Sequence, residues 1–154
     1  MTSPILQISD LRLFFRPAGT LISVLHGISV HVAAGEKVAL VGESGSGKSV
    51  TTRVVTGLLR PGRNVQMTGN VSVGGRNILE MNEGAFRKLR GTVMSMIFQD
   101  PTSALNPLFL IGDQFREVLR SADPALPSRF ARVRATELLK QVLLDDAERI
   151  LDSY

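Results

Sequence analysis

The sequence predicts an α/β fold in which an antiparallel β region comes first, a strand–loop–helix core follows, and a helical segment comes last. Three observations support this order. Residues 5–15 and 28–32 alternate apolar and polar side chains, as half-buried strands do. A continuous apolar run at residues 38–41 is followed by a glycine-rich loop and an amphipathic stretch. The last third carries apolar side chains at helical spacing.

The N-terminal region is predicted to form two strands joined by a Pro-Ala-Gly turn. In residues 5–15, Leu11, Leu13 and Phe15 share one face of the first strand. Residues 28–32 alternate Ile, Val and Val with Ser and His, which predicts a second half-buried strand.

The core is predicted to contain two strands buried on both faces. Residues 38–41 form the first, because continuous apolar runs are typical of such strands. Residues 93–98 form the second. The helix after the glycine-rich loop is expected to continue until Pro61 and Gly62 end it.

The helical segment is predicted to bury two apolar stripes and to end in a short helix after Asp145 or Asp146. The first stripe comprises Phe115, Val118 and Leu119. The second, entered through Pro127 and Ser128, comprises Phe130, Val133, Leu138, Leu139 and Val142.

Composition excludes several classes of function. The 154 residues fit one domain or part of one, and the absence of cysteine excludes disulfides and cysteine-ligated metals within them. The net charge of +4 comes from scattered side chains, whereas nucleic-acid sites usually cluster theirs, so we expect no nucleic-acid partner. No apolar run reaches the ~18 residues of a membrane span, so we expect any membrane association to depend on a partner.

A phosphate-binding motif occupies residues 42–49, whose sequence G-E-S-G-S-G-K-S satisfies G-x-x-x-x-G-K-[ST]. Glycines allow the backbone N–H groups to approach a polyphosphate. Lys48 supplies a positive charge to the β- and γ-phosphates, and the Ser49 hydroxyl is a ligand for Mg²⁺. The alternative is a Gly/Ser-rich turn that only joins strand to helix. The lysine, the serine and the flanking elements together favour the phosphate loop.

A second motif, M-I-F-Q-D-P-T-S-A-L-N-P, occupies residues 96–107. A glutamine at the end of a buried strand, here Gln99, can orient a metal-bound or attacking water. The segment can equally be an ordinary strand end followed by a turn. The residues alone leave both interpretations open.

Strand, phosphate loop and glutamine segment, in this order, resemble the ATP-binding subunits of ABC transporters. The strings G-E-S-G-S-G-K-S, I-F-Q-D-P and L-N-P are similar to the dipeptide/oligopeptide/nickel importer branch, over roughly residues 11–117. The resemblance implies a P-loop NTPase core that is incomplete here. Its expected parts are an antiparallel β region (1–37), the P-loop core (38–100) and a helical subdomain (101–154).

The resemblance also implies roles for individual residues. Residues 42–49 would be the Walker A loop, and Gln99 the Q-loop glutamine that touches Mg²⁺ or its water. Phe15 stands where the family places an aromatic that stacks on adenine, although Phe14 is an alternative and Phe15 can instead be buried in the strand's core face. The expected cofactor-binding residues are Phe15, Gly42, Glu43, Ser44, Gly45, Ser46, Gly47, Lys48, Ser49 and Val50. Lys48 and Gln99 would be catalytic, and Ser49 and Gln99 would hold the metal.

Three further family motifs are missing from the 154 residues: an L-S-G-G-Q signature loop, a Walker B strand ending in Asp-Glu, and a switch histidine. His26 and His31 both precede the phosphate loop, so neither is expected to be the switch.

We therefore expect this chain to be the N-terminal part of the domain. We expect it to leave strand edges and apolar faces uncovered. Alone, it should bind ATP and Mg²⁺ weakly and not hydrolyse ATP.

The partners that the resemblance implies are transmembrane permease subunits, a second ATP-binding subunit and, indirectly, a substrate-binding protein. The protein would lie peripherally on the cytoplasmic side of the inner membrane and energise the import of peptides or nickel. The competing hypothesis is a soluble P-loop kinase or a non-transport nucleotide-binding module. A P-loop kinase should show a mobile lid with arginines aimed at the phosphates and an acceptor pocket. The Gln99 segment favours the transporter.

Overall fold

A computed structural model of the chain describes residues 4–100 and 104–154. The chain divides into two compact units between Arg90 and Gly91, and each unit is described by itself. The boundaries expected after residues 37 and 100 stay a prediction.

The first unit is built on a four-stranded antiparallel sheet in the order β2-β1-β3-β4. The strands are β1 (Leu6–Phe15), β2 (Ile22–Val32), β3 (Val65–Val73) and β4 (Arg76–Asn77). The helices are α1 (Lys48–Val55) and α2 (Glu83–Arg87). The two predicted N-terminal strands are thus confirmed as β1 and β2, and a short 3₁₀ turn at Pro17–Gly19 joins them.

One face of the sheet forms the core of the first unit. Leu11 and Leu13 of β1 are fully buried, as is Leu25 of β2, while Ser29 and His31 of β2 are exposed. This alternation is the one that the sequence predicts for half-buried strands. Phe15, expected on the same face, is half-buried.

The prediction that α1 continues to Pro61 is wrong, because the helix ends at Val55. Gly57 adopts a left-handed backbone conformation (φ +67°) that stops the helix first. A Cβ atom built on Gly57 would lie 2.2 Å from the ring of Phe86 in α2. Glycine at this position therefore lets the backbone turn against the buried ring.

The two strands predicted at residues 38–41 and 93–98 are not formed. Val41 is 90% exposed and Ile97 is 94% exposed, so neither run is buried on both faces as a central strand would be. A segment forms a β-strand only when its backbone N–H and C=O groups form hydrogen bonds with a neighbouring strand. Neither run belongs to the four-stranded sheet of the described residues.

The second unit is a helical cluster of α3 (Ile111–Ala122), α4 (Ser128–Gln141) and α5 (Ala147–Leu151). The predicted entry at Ser128 and the final helix after Asp146 are confirmed. The core comprises Ala135, Leu139, Ala147 and Leu151, with Ile111, Phe115, Leu119 and Ile150 packed against it. No helix within residues 4–100 and 104–154 is long and apolar enough to cross a membrane.

The second predicted stripe is wrong in its membership. Phe130, Val133 and Val142 are about half or more exposed, whereas Ala131 and Ala135 are buried with Leu139. These buried residues are spaced by four, so they line one face of α4. Small alanines allow neighbouring helix backbones to approach closely. Val118 of the first stripe is also exposed.

Candidate functional site

The phosphate-loop motif forms a compact loop closed around the side chain of Lys48. The Lys48 Nζ donates hydrogen bonds to the carbonyl oxygen of Gly42 at 2.7 Å and to that of Glu43 at 2.6 Å. It also lies 3.3 Å from the Ser46 hydroxyl. Three oxygen acceptors thus hold the ammonium group at the centre of the loop.

Three glycines shape the loop. Gly45 and Gly47 adopt left-handed backbone conformations (φ +83° and +93°), which side chains other than glycine rarely tolerate. A Cβ on Gly42 would lie 2.9 Å from the Ser46 hydroxyl and crowd the turn. The motif's glycine spacing therefore follows from positive φ at two positions and close packing at the third.

The end of the loop rests on the sheet. A Cβ built on Gly47 would lie 2.5 Å from Cδ2 of Leu25, and 3.7 Å from the carbonyl oxygen of Val24. Gly47 is buried, whereas the loop residues before it are exposed. The open side of the loop therefore faces solvent while its last residue is fixed against β2.

Helix α1 begins directly behind the loop, with Gly47 as its N-cap residue. The Thr51 N–H donates to the Gly47 carbonyl at 2.8 Å, and the buried Thr51 hydroxyl donates to the same oxygen at 2.9 Å. The N–H groups of Lys48, Ser49 and Val50 lie in the first turn, where no intrahelical acceptor exists for them. These donors and the helix dipole favour an anion at this end.

The arrangement fits a polyphosphate and its metal. The loop combines one centred cation, free first-turn donors and an exposed hydroxyl on Ser49. A hydroxyl oxygen suits Mg²⁺, which takes oxygen ligands and keeps substrate phosphates and waters in the rest of its shell. These groups fit a magnesium–polyphosphate ligand.

The two candidate aromatics lie at the end of β1. Phe15 pairs in register with Ile22 of β2 and Val65 of β3. By strand alternation Phe15 shares its sheet face with Leu13, whose β2 partner Leu25 contacts Gly47. Phe14 is half-buried as well. The choice between them stays a prediction.

Gln99 belongs to the second unit, at the end of the segment that the sequence predicts as a strand. Its side chain is exposed, and residues 95–98 before it have no regular structure. Pro101 and the two residues after it lie outside the described residues. The metal and catalytic roles of Gln99 stay predictions.

Sequence reasoning missed two features of the site. One is the contact of Gly47 with Leu25, which no local pattern signals because the two residues are far apart along the chain. The other is an irregularity of β1 at Asp10, which has positive φ. A signal for it exists, since the apolar residues Ile8 and Leu11 are three apart rather than two.

A G-x-x-x-x-G-K-[ST] loop that closes on its lysine and leads into a helix N-terminus defines a P-loop nucleotide-binding protein. A family model described as ABC transporter matches residues 25–154. The chain belongs to the ABC transporter family.

Curated relatives cover nearly the whole chain. It is 40% identical over 147 residues to the oligopeptide transport ATP-binding protein OppD of Mycobacterium tuberculosis, covering 96% of this chain and 24% of that protein. It is 38% identical to AppD of Bacillus subtilis, covering 99% of this chain and 46% of AppD. The probable D,D-dipeptide transport protein DdpD of Escherichia coli is 39% identical, covering 100% of this chain and 47% of DdpD. The chain thus spans less than half the length of these relatives.

Solved structures agree on the fold. The dimeric structure of MJ0796, a bacterial ABC transporter cassette, superposes with a TM-score of 0.79 at 21% identity, covering 96% of this chain and 60% of that one. A structure of MJ0796 in a post-hydrolysis state, bound to ADP and Pi, gives a TM-score of 0.76 with the same coverage and identity. At this identity the likeness shows the fold alone.

Proposed function

We propose that residues 42–49 bind the phosphates of ATP together with Mg²⁺. The observation that carries the proposal is the Lys48 ammonium, held at 2.7 and 2.6 Å from two loop carbonyls. These contacts hold the charge inside the loop, where a polyphosphate would approach. All three N–H donors of the ammonium are engaged within the loop, so on binding a polyphosphate it exchanges loop acceptors for phosphate oxygens.

Each group has a defined task in this proposal. The Lys48 ammonium, with three donors, binds phosphate oxygens, and the first-turn N–H groups of α1 add neutral donors beside it. The Ser49 hydroxyl contributes one oxygen to the metal, and Gln99 contributes its amide oxygen to the metal or orients its water. Bound Mg²⁺ supplies charge stabilisation to the phosphates. Phe15 stacks on the base.

We propose further that the whole protein hydrolyses ATP to energise the import of peptides, or of nickel, through a membrane complex. The names of the relatives, which include oligopeptide, dipeptide and D,D-dipeptide transport ATP-binding proteins, support peptides. Its partners in this proposal are permease subunits, a second ATP-binding subunit and, indirectly, a substrate-binding protein. It would lie on the cytoplasmic side of the inner membrane.

Nucleotide titration of a Lys48→Ala variant tests the binding proposal. A hydrogen bond to a charged group contributes ~1.5–3 kcal/mol, so affinity for a fluorescent ATP analogue should fall by roughly 10- to 150-fold. Lys37→Ala is the matched control, because Lys37 is an exposed lysine outside the loop. Equal affinity of the Lys48 variant and the unmodified protein would reject the proposal.

A further inference from the structure

Three residues with positive φ lie side by side across the sheet of the first unit. They are Asp10 of β1 (φ +46°), Gly27 of β2 (φ +101°) and Gly69 of β3 (φ +95°). The strand registers shift at the same place, between Ile8 and Leu11 toward β2 and between Ser9 and Arg12 toward β3. The pairing with β2 shifts twice more, between Leu11 and Arg12 and between Leu13 and Phe14, whereas the pairing of Arg12 to Phe15 with β3 is regular. A β-bulge therefore interrupts the central strand, and both neighbouring strands accommodate it with glycine.

The geometry around Asp10 holds this bulge in place. The Asp10 N–H donates to the Ser29 hydroxyl at 3.0 Å, and its carboxylate pairs with Arg12 at 3.0 Å. A Cβ on Gly69 would lie 2.4 Å from the Asp10 carbonyl oxygen, and one on Gly27 would lie 2.5 Å from its carboxylate. At Gly69 only glycine fits without displacing the Asp10 backbone, whereas at Gly27 the positive φ is what favours glycine.

The bulge makes Asp10 an extra residue in the alternation of β1. Ile8, Leu11 and Leu13 are all buried on the core side although the first two are three residues apart. Without the bulge, an uninterrupted strand would place Ile8 and Leu11 on opposite faces. With it, Leu13 and Phe15 lie on the same face of β1 as Ile8, and Leu25, the β2 partner of Leu13, contacts the phosphate loop at Gly47.

We propose that Asp10 is a positioning residue for nucleotide binding: its left-handed backbone bends β1 so that Phe15 faces the base of a nucleotide held in the phosphate loop. This inference rests on the proposed function and deepens it. A bulge increases local twist and re-aims the side chains that follow it, and Phe15 lies five residues beyond Asp10. The aspartate acts through its backbone rather than its charge, because its carboxylate is largely exposed.

The test compares substitutions that differ in their tolerance of positive φ. Asparagine and glycine adopt it readily, alanine less so, and β-branched valine least. Asp10→Val and Asp10→Ala should weaken ATP binding, by about five-fold or more for valine, as part of a base–aromatic stack is lost. Inorganic tripolyphosphate, which has no base, should bind all variants equally. Asp10→Asn and Asp10→Gly should bind ATP like the unmodified protein.

Gln7→Val is the matched control, since Gln7 is an exposed β1 residue without positive φ. Circular dichroism checks that each variant is folded, and if Asp10→Val is not, the comparison of alanine with asparagine decides. The inference is overturned if ATP and tripolyphosphate affinities fall together, if neither falls, or if asparagine is as harmful as valine. If the unmodified protein binds neither ligand, the proposed function fails instead.

Discussion

Gly57 lies directly against the ring of Phe86, which itself lies between two guanidinium groups. The Arg60 guanidinium carbon is 4.7 Å from the ring centroid and that of Arg90 is 4.9 Å away. Arg90 also donates to the Gly57 carbonyl at 3.0 Å. This cluster joins the C-terminal end of α1 to α2, and therefore fixes the helix that follows the phosphate loop.

Gly57→Ala should destabilise the protein strongly. The new Cβ would overlap the Phe86 ring at 2.2 Å, and the cations on the ring restrict its movement. Positive φ costs a non-glycine residue ~1–2 kcal/mol, and overpacking adds ~1–3 kcal/mol. Urea denaturation should show a loss of about 2–5 kcal/mol in the free energy of unfolding.

Gly75→Ala is the control for the backbone contribution. Gly75 also has positive φ (+76°), but a Cβ there would meet nothing within 4 Å. The loss in the free energy of unfolding caused by this substitution should be limited to ~1–2 kcal/mol. Equal losses for the two variants would mean that the contact with Phe86 contributes nothing.

Phe15→Ala should weaken ATP and ADP binding alike, because both ligands carry the base. Base–aromatic stacking contributes ~1–3 kcal/mol, so affinity should fall by roughly 5- to 150-fold, while tripolyphosphate affinity stays unchanged. Phe14→Ala, on the neighbouring residue, should have little effect. If only Phe14→Ala weakens ATP binding, Phe14 rather than Phe15 stacks on the base. If both variants bind ATP normally, neither aromatic side chain stacks on the base, and both contribute only to packing of the core.

Arg132 in α4 should lower the pKa values of two carboxyl groups of the second unit. It pairs with Glu148 at 2.7 Å and with Asp152 at 3.0 Å. The hydrogen bonds from Arg132 lower the pKa of Glu148, which also accepts one from Thr136, and lower the pKa of Asp152. Carboxyls with lowered folded-state pKa values stabilise the fold above their unfolded values of about 4. That contribution disappears as pH falls through the folded-state values.

NMR titration of the carboxyl groups in Arg132→Gln measures this effect, and both pKa values should rise toward their ordinary range. Arg134→Gln is the control, because Arg134 pairs with Glu137 on its own helix. The pKa values of Glu148 and Asp152 should then stay low. Unchanged values in Arg132→Gln would contradict the assigned cause.

A protein of these 154 residues alone should not turn ATP over. In the proposed site Lys48 and Ser49 would hold the phosphates and the metal, but the 154 residues contain no apolar run ending in Asp-Glu and no L-S-G-G-Q segment to complete catalysis. Phosphate release, measured with and without a version extended through those motifs, checks this. Steady hydrolysis by the short version, abolished by Lys48→Ala, would show that the catalytic groups lie elsewhere.

The phosphate loop could be predicted from sequence because its chemistry is local. Positive φ at Gly45 and Gly47 and the reach of Lys48 to Gly42 all lie within eight residues. Strands β1 and β2 were predictable for a similar reason. One face of each strand is buried, and the alternation of apolar and polar side chains along the sequence indicates which face it is. The stacking role of Phe15 and the metal role of Gln99 stay predictions, because each depends on a ligand.

What the sequence by itself determined is therefore the phosphate loop, encoded by a local motif, and the first two strands and the helical segment, encoded by short-range periodicity. Tertiary structure alone decided that Gly57 ends α1 against Phe86, that the alanines of α4 rather than Phe130 and Val133 are buried, and that residues 38–41 form no strand. The physical reason is the same in each case. A buried face or a paired strand requires another segment of the chain as its partner. The position of that segment cannot be predicted from the local sequence pattern.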